Sequence, residues 1–334
     1  MLLLTEADIR KLFSMEEALS VVETAFKDYA LGNSKMPSKV YLNLPEFSGD
    51  FRAMPAYSFQ HQIAGVKWVN SHSKNPQKGL PSVMALLILN DPATAVPLAI
   101  LEGSFLTNMR TGAAGAVAAK YLAKKDASIT AFVGSGQQAY YQALALLKIF
   151  KLTELRIFDT HAESKKTFSQ KIKDSFNISI HDYRSLPSCL EGAHIVVTAT
   201  PSHTPLVLEN WILPGTHINA IGADAPGKQE LDANLVKKSR IVVDDLDQAS
   251  HSGEINMPLK EHLISSSDIQ GTLGDLILGK YSGRQVSSDI TLFDSTGLAI
   301  QDIAAGAYIY KKAKKMGIGE TISFWETPHI ANIP

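Results

Sequence analysis

The chain has 334 residues, 45% hydrophobic and 19% charged, which at about 100–200 residues per domain is enough for two domains with large cores. Its net charge of -1 gives no electrostatic reason to expect nucleic acid or an anionic membrane as a partner. The single cysteine, Cys189, excludes an intramolecular disulfide and a cysteine-based zinc cluster and fits a reducing, cytoplasmic setting.

Residues 1–13 lack the basic start of a signal peptide and turn acidic after four residues, so they are read as mature chain. Thr5, with Asp8 three residues on, caps a first helix through Phe13. Ser14 caps a second, running to about Leu31 with Ala18, Val21, Val22, Ala25 and Phe26 on one face, and Gly32-Asn33 ends it. Short strand-like runs follow at 39–44, 51–57 and 64–70, the second holding a proline, Pro55, that favours an edge or a bend. Residues 83–89 and 96–101 read as a hairpin, and the interruption at Asn90-Asp91-Pro92 is too early for a membrane span. The first hundred residues thus predict two helices and a mostly antiparallel sheet. An Ala- and Gly-rich helix over 106–122 leads out of it.

From Ser128 the pattern becomes strand, helix, strand, helix. Strands are predicted at 129–133, 155–158, 194–199, 217–222, 240–244 and 290–293, and a closing helix at 298–315. This alternation predicts a parallel sheet with right-handed crossovers. Its first turn is Gly134-Ser135-Gly136-Gln137-Gln138-Ala139, and Asp159 stands at the end of the second strand. Strand, Gly-x-Gly-x-x-Ala, helix, strand and acid in sequence form a dinucleotide-binding pattern. Gly134 permits the tight turn, Gly136 lets backbone approach a pyrophosphate, and the helix N-terminus supplies N–H groups to phosphate. Asp159 is placed to accept hydrogen bonds from a ribose.

Candidate chemistry lies in basic residues with apolar neighbours: Lys39, Arg52, Lys67 and Arg110. Beside a nicotinamide such cations would bind a substrate carboxylate. Each alone also reads as a surface cation whose stem covers apolar neighbours. Lys67 fits a surface strand least, and it could instead hydrogen-bond a carbonyl oxygen or donate a proton. Asp224, in the loop 219–228 after a predicted strand, is a candidate general acid/base or a plain turn aspartate, and Lys228 could reach a phosphate. Thr198-Ala199-Thr200-Pro201 offers small residues at another strand end. Asp244, Asp245 and Asp247 are read as helix-capping residues, with no metal site. His72, His203, His217 and His251 lack metal-ligand spacing and receive no role, and no Gly-x-Ser-x-Gly elbow is present.

Over essentially its whole length the chain resembles the ornithine cyclodeaminase/μ-crystallin family. The matching stretches are KWVNSHSKNP (67–76), RTGAAGAVAAKYLA (110–123), VGSGQQAYYQ (133–142), NAIGADAPGKQELD (219–232) and FDSTGLAIQD (293–302). MPSKVYL (36–42), FRAMPAY (51–57), GLPSVMALLILN (79–90) and VVDDLDQASHSGEIN (242–256) resemble the archaeal-type alanine dehydrogenases of that family. The resemblance implies an α/β fold: a Rossmann-type doubly wound parallel sheet over 125–294, inserted in an α+β substrate-binding and dimerisation domain of 1–124 completed by 295–334.

The resemblance also implies roles. Lys39, Lys67 and Arg110 match cations that hold the substrate carboxylate, and Asp224 the catalytic aspartate, with Lys67 stabilising developing charge. Cofactor contacts fall on Ser82, on Arg110 with Thr111, and on Gly134, Gly136, Gln137 and Gln138 of the glycine turn. They continue through Asp159, Thr200, the run Ile221-Gly222-Ala223-Asp224, Lys228 and Ser295, while Thr296 lies beside the substrate. Ornithine cyclodeaminases carry a glutamate where this chain has Arg52, and that glutamate grips the substrate's second amino group. A cation there favours another carboxylate contact and a small amino acid.

The expected activity is therefore reversible NAD-dependent oxidative deamination, most simply of L-alanine, by a homodimer. Ornithine cyclodeamination, reduction of a cyclic ketimine such as pyrroline-2-carboxylate, and nucleotide binding without turnover are the rivals. Asp159 favours NAD over NADP, and Thr160-His161 offers no arginine for a 2′-phosphate, although Lys165 or Lys166 would be within reach in sequence.

Overall fold

The computed structural model describes residues 1–323. It divides into two compact units: unit 1 comprises 1–14, 33–107 and 302–323, and unit 2 comprises 15–32 and 108–301. The boundaries therefore differ from those expected at 124/125 and 294/295. The chain changes units inside helices Ser104–Leu122 and Ala299–Met316. Helix Met15–Ala30 also joins unit 2. Glu23 accepts from Lys120, Tyr29 donates to Asp245 at 2.8 Å, and Glu16 pairs with Lys148.

Unit 1 is built on an eight-stranded mixed sheet. Strands Val40–Leu44, Gly49–Ser58, Ile63–His72, Ala85–Asn90 and Pro97–Glu102 run antiparallel in sequence order, and the last two form the expected hairpin. Leu2–Leu4 adds a parallel edge and pairs with Glu320–Thr321; neither strand was legible in the sequence. Pro55 lies within Gly49–Ser58, paired with Val66 on one side. On the other side it falls between the partners of Ala53 and Tyr57, Val40 and Lys35, where a missing N–H costs no ladder bond. The first helix is Glu6–Leu12, with a capping box between Thr5 and Asp8.

Alternation gives the sheet two unlike faces. Met54, Ala56, Val69, Leu87, Leu89 and Leu101 are buried on one. Ile303 and Gly306 of the closing helix lie against that face, at Gly65 and Leu87. Val40, Leu42, Trp68 and Leu86 are exposed on the other, with Phe51 stacked on Trp68 at 5.2 Å.

Unit 2 carries an eight-stranded sheet, parallel throughout. The order is Ser179–Asp182, Glu154–Phe158, Ile129–Val133, Ile195–Thr198, His217–Ala220, Thr291–Asp294, Arg240–Val243, Ile269–Thr272. Strand order reverses between Ile129–Val133 and Ile195–Thr198, the switch point of a doubly wound sheet. The central strands are continuous apolar runs buried on both faces, which is why the sequence located them within a residue or two. The outer strands Ser179–Asp182 and Ile269–Thr272 are partly exposed and escaped the pattern. Among the described residues no helix is long and apolar enough to cross a membrane.

Candidate functional site

Because every strand of the unit 2 sheet runs the same way, their carboxyl ends form one edge, and the sequence motifs stand along it. At the switch point Gly134 takes φ +91°, and a Cβ there would lie 2.8 Å from the Ala199 carbonyl oxygen, so only glycine fits this turn. Nothing lies within 4 Å of the position a Cβ on Gly136 would take. Helix Gln137–Ile149 begins there, leaving N–H groups without intrahelical acceptors over open space. Beside it a cavity of about 270 Å³ is lined by Ser135, Gly136, Gln137, Thr167 and Lys171 among others. An open glycine, free N–H groups and a terminal acid fit a dinucleotide.

Asp159 ends the neighbouring strand. Its carboxylate accepts from Ser135 N–H and Oγ, each at 2.8 Å, and from His161 N–H at 2.8 Å. Burial pushes this carboxyl up, but the hydrogen bonds from His161 and Ser135 outweigh burial and hold it below its ordinary value. It therefore presents a charged acceptor. Of the lysines considered for a 2′-phosphate, Lys165 is paired with Asp182 at 2.8 Å.

On the other side of the reversal, Thr200 follows Ile195–Thr198, while Ile221, Gly222, Ala223 and Asp224 follow His217–Ala220. Asp224 accepts from Lys228 Nζ at 2.6 Å, so in this structure Lys228 faces the aspartate. Ser295 N–H donates to the Ala220 carbonyl. Thr296 donates its N–H to Asp244 at 2.7 Å and its hydroxyl at 3.0 Å, and Gly297 N–H adds a bond of 2.7 Å. Asp244 thus anchors the 295–297 turn. Asp245 caps helix Leu246–Ser252, as expected for this acidic run. Arg110 is buried and donates to Gln301 Oε1 at 3.0 Å. The neighbouring Thr111 carbonyl accepts from Gln142, and Gln138 donates to Asn108.

Lys39, Arg52, Lys67 and Ser82 belong to unit 1. Lys67 is 1% exposed and pairs with Asp302, itself fully buried, at 2.8 Å. The lysine is fixed in place by a partner that sequence reasoning missed. Arg52 stands on the same sheet face, one pair away along the ladder (Met54↔Lys67, Arg52↔Val69). Its guanidinium meets both oxygens of Asp50, Nε at 2.8 Å and Nη2 at 3.1 Å, and lies over the Tyr41 ring. Lys39 immediately precedes strand Val40–Leu44 and is partly exposed. The Ser82 carbonyl accepts from His72 N–H at 2.8 Å.

Gln301 and Asp302 carry the same sequence signal that drew attention to Lys67, polar groups in an apolar run, whereas Asp244, read from sequence as a helix cap, instead anchors the 295–297 turn. Cys189 is buried, which pushes its thiol up to about 12; it is a passive thiol.

The doubly wound sheet and its glycine turn define a dinucleotide-binding protein. The chain belongs to the ornithine cyclodeaminase/mu-crystallin family, whose model matches residues 1–317. It is 47% identical to the alanine dehydrogenase of Archaeoglobus fulgidus, over 97% of this chain and 98% of that protein. Among solved structures it is similar to an archaeal alanine dehydrogenase dimer with bound NAD (TM-score 0.92, 47% identity, covering 97% of this chain and 99% of that one). It is also similar to the Δ1-pyrroline-2-carboxylate reductase of Thermococcus litoralis in complex with NADH and L-proline (TM-score 0.94, 37% identity, covering 96% and 100%).

Proposed function

We propose that the chain catalyses reversible NAD-dependent oxidative deamination of a small L-amino acid, L-alanine, to pyruvate and ammonia. The observation that carries the substrate class is Arg52, buried on the sheet face it shares with Lys67. A cation there suits a substrate with one amino group and a carboxylate, and disfavours a diamine such as ornithine. The likeness to alanine dehydrogenase at 47% identity points the same way. The likeness to a pyrroline-2-carboxylate reductase keeps cyclic imine reduction as the principal rival.

When bound, NAD supplies the acceptor for the α-hydrogen, which leaves as hydride. The protein's part is binding and proton transfer. Arg52 and Arg110, with Lys39 or Lys67 assisting, hold the substrate carboxylate, and Thr296 lies beside the substrate. Asp224 takes a proton from the substrate ammonium, freeing its lone pair as the α-hydrogen departs. After passing that proton to solvent, it takes a proton from the water that adds to the iminium carbon, returns it to the nitrogen of the resulting carbinolamine, and takes the hydroxyl proton as the C–N bond breaks and ammonia leaves. Lys67, held by Asp302, stabilises the negative charge that develops on oxygen. Asp159 would accept from the adenosine ribose and oppose a 2′-phosphate, which favours NAD as the cofactor. Gln137, Gln138, Ser82, Thr111 and Lys228 complete its contacts.

The exposed row Val40, Leu42, Trp68 and Leu86 supports a homodimer, the assembly of the archaeal neighbour. The proposal sets the enzyme in the cytoplasm.

The test is the decay of NADH absorbance with pyruvate plus ammonia and with pyrroline-2-carboxylate, beside ammonia release from ornithine with NAD, whose conversion to proline is redox-neutral and leaves the absorbance unchanged. Turnover with pyruvate and ammonia supports the proposal. Activity with the cyclic imine alone makes the protein a ketimine reductase. Tight NADH binding without turnover makes it a binding protein.

A further inference from the structure

Glu230 is fully buried behind the carboxyl edge of the unit 2 sheet. Its Oε1 accepts from Thr200 N–H and from Thr200 Oγ1, both at 2.7 Å. Its Oε2 accepts from Gly222 N–H at 2.9 Å. Thr200 and Gly222 follow neighbouring strands, Ile195–Thr198 and His217–Ala220, so one carboxylate ties two adjacent strand-end loops together. Gly222 is part of the clamp. A Cβ there would lie 2.3 Å from the Thr200 carbonyl oxygen and 2.5 Å from Glu230 Oε2.

Glu230 is itself fixed from behind. Glu254, also fully buried, accepts from Glu230 N–H at 2.9 Å and Leu231 N–H at 2.6 Å. The Glu230 carbonyl accepts from Leu206 and Val207. Burial pushes both carboxyls up, against the hydrogen bonds each receives, and for Glu254 the charge of Glu230 adds to burial. A carboxylate is costly in such a place unless its oxygens are filled, and here they are filled by these loops.

We propose that Glu230 is a positioning residue for the nicotinamide half of the dinucleotide, holding the Thr200 and Gly222 loops in register. This rests on the dinucleotide reading of the site. Gly134 and Asp159 stand on one side of the strand-order reversal, and Thr200 and Gly222 on the other. A dinucleotide lies across such a reversal with one nucleotide on each half. With the adenosine end at Asp159, the clamp serves the other end.

The experiment is calorimetric titration of the full chain with NADH and, separately, with AMP, on wild type, Glu230→Gln and Gly222→Ala. Glutamine keeps the volume but turns one acceptor oxygen into an N–H2 facing a donor. Both variants are expected to weaken NADH binding about tenfold or more and to raise KM for NADH, with AMP affinity unchanged. Equal losses for NADH and AMP, or no loss for either, would overturn the inference while wild type still binds NADH. Wild type that binds neither ligand would overturn the dinucleotide reading, and the clamp's role with it. If Glu230→Gln does not fold, Gly222→Ala answers the same question from the other side of the clamp.

Discussion

At the scale of single residues, the chemistry turns on charges that are individually paired: Asp224 with Lys228, Arg52 with Asp50 and Lys67 with Asp302. Asp224 carries the proton-transfer role. Asp224→Asn keeps size and removes basicity, so kcat should fall about 10²–10⁴-fold while NADH still binds. Full activity in that variant would remove the role. Arg52 carries the substrate argument. Arg52→Glu would set two carboxylates side by side, since Asp50 now pairs with the guanidinium. KM for pyruvate should rise about tenfold or more, and an unchanged KM would contradict the pocket argument. Lys67 gains from Asp302 what a buried ammonium needs, a fixed countercharge at 2.8 Å.

At the scale of elements, the parallel sheet contains a polar seam that titration exposes. His217 is fully buried in its strand, with Nδ1 at 3.0 Å from Thr291 Oγ1 and Nε2 at 2.9 Å from Asn219 Oδ1. Burial is the largest cause holding its pKa down, from 6.5 to about 3. Below pH 6.5 the unfolded chain takes up a proton that the folded chain refuses. This contribution to stability is therefore complete above about pH 6.5 and is lost as pH falls toward 3, at a slope of up to about 1.4 kcal/mol per pH unit. Urea unfolding between pH 7 and 4 should show the decline, and His217→Gln should flatten it. An equal slope in both proteins would contradict the assignment.

What could be read from sequence follows the same physics. Apolar runs such as ITAFV and RIVV gave the central strands, because burial on both faces leaves no polar alternation to blur them. SIHD and IQGT at the sheet margins carry no such mark. The glycine turn with Asp159 was legible because its chemistry is local. The clamp of Glu230, the anchor at Asp244 and the Lys67–Asp302 pair were not read, because each joins residues far apart in the chain. Two of the four unit boundaries fall inside the helices Ser104–Leu122 and Ala299–Met316, whose sequence does not change where the contacts do.

At the scale of the whole molecule, the prediction concerns assembly. In unit 1, Val40, Leu42, Trp68 and Leu86 are between 40% and 64% exposed on one sheet face, the kind of apolar patch that a second copy covers. Sedimentation velocity should find a dimer for wild type and a shift to monomer for Trp68→Lys combined with Leu86→Lys, since each lysine would bring an unpaired charge into the interface. A dimer that survives both substitutions would place the interface elsewhere.

The central claim is that the chain moves a hydride between a nicotinamide and the α-carbon of a small amino acid. It is tested most directly by incubating the enzyme with pyruvate, ¹⁵N-ammonia and NADH deuterated at both C4 positions, then weighing the product. The account predicts L-alanine carrying both ¹⁵N and one deuterium on its α-carbon. Alanine without the deuterium, or no alanine while pyrroline-2-carboxylate is reduced to deuterated proline, would contradict it.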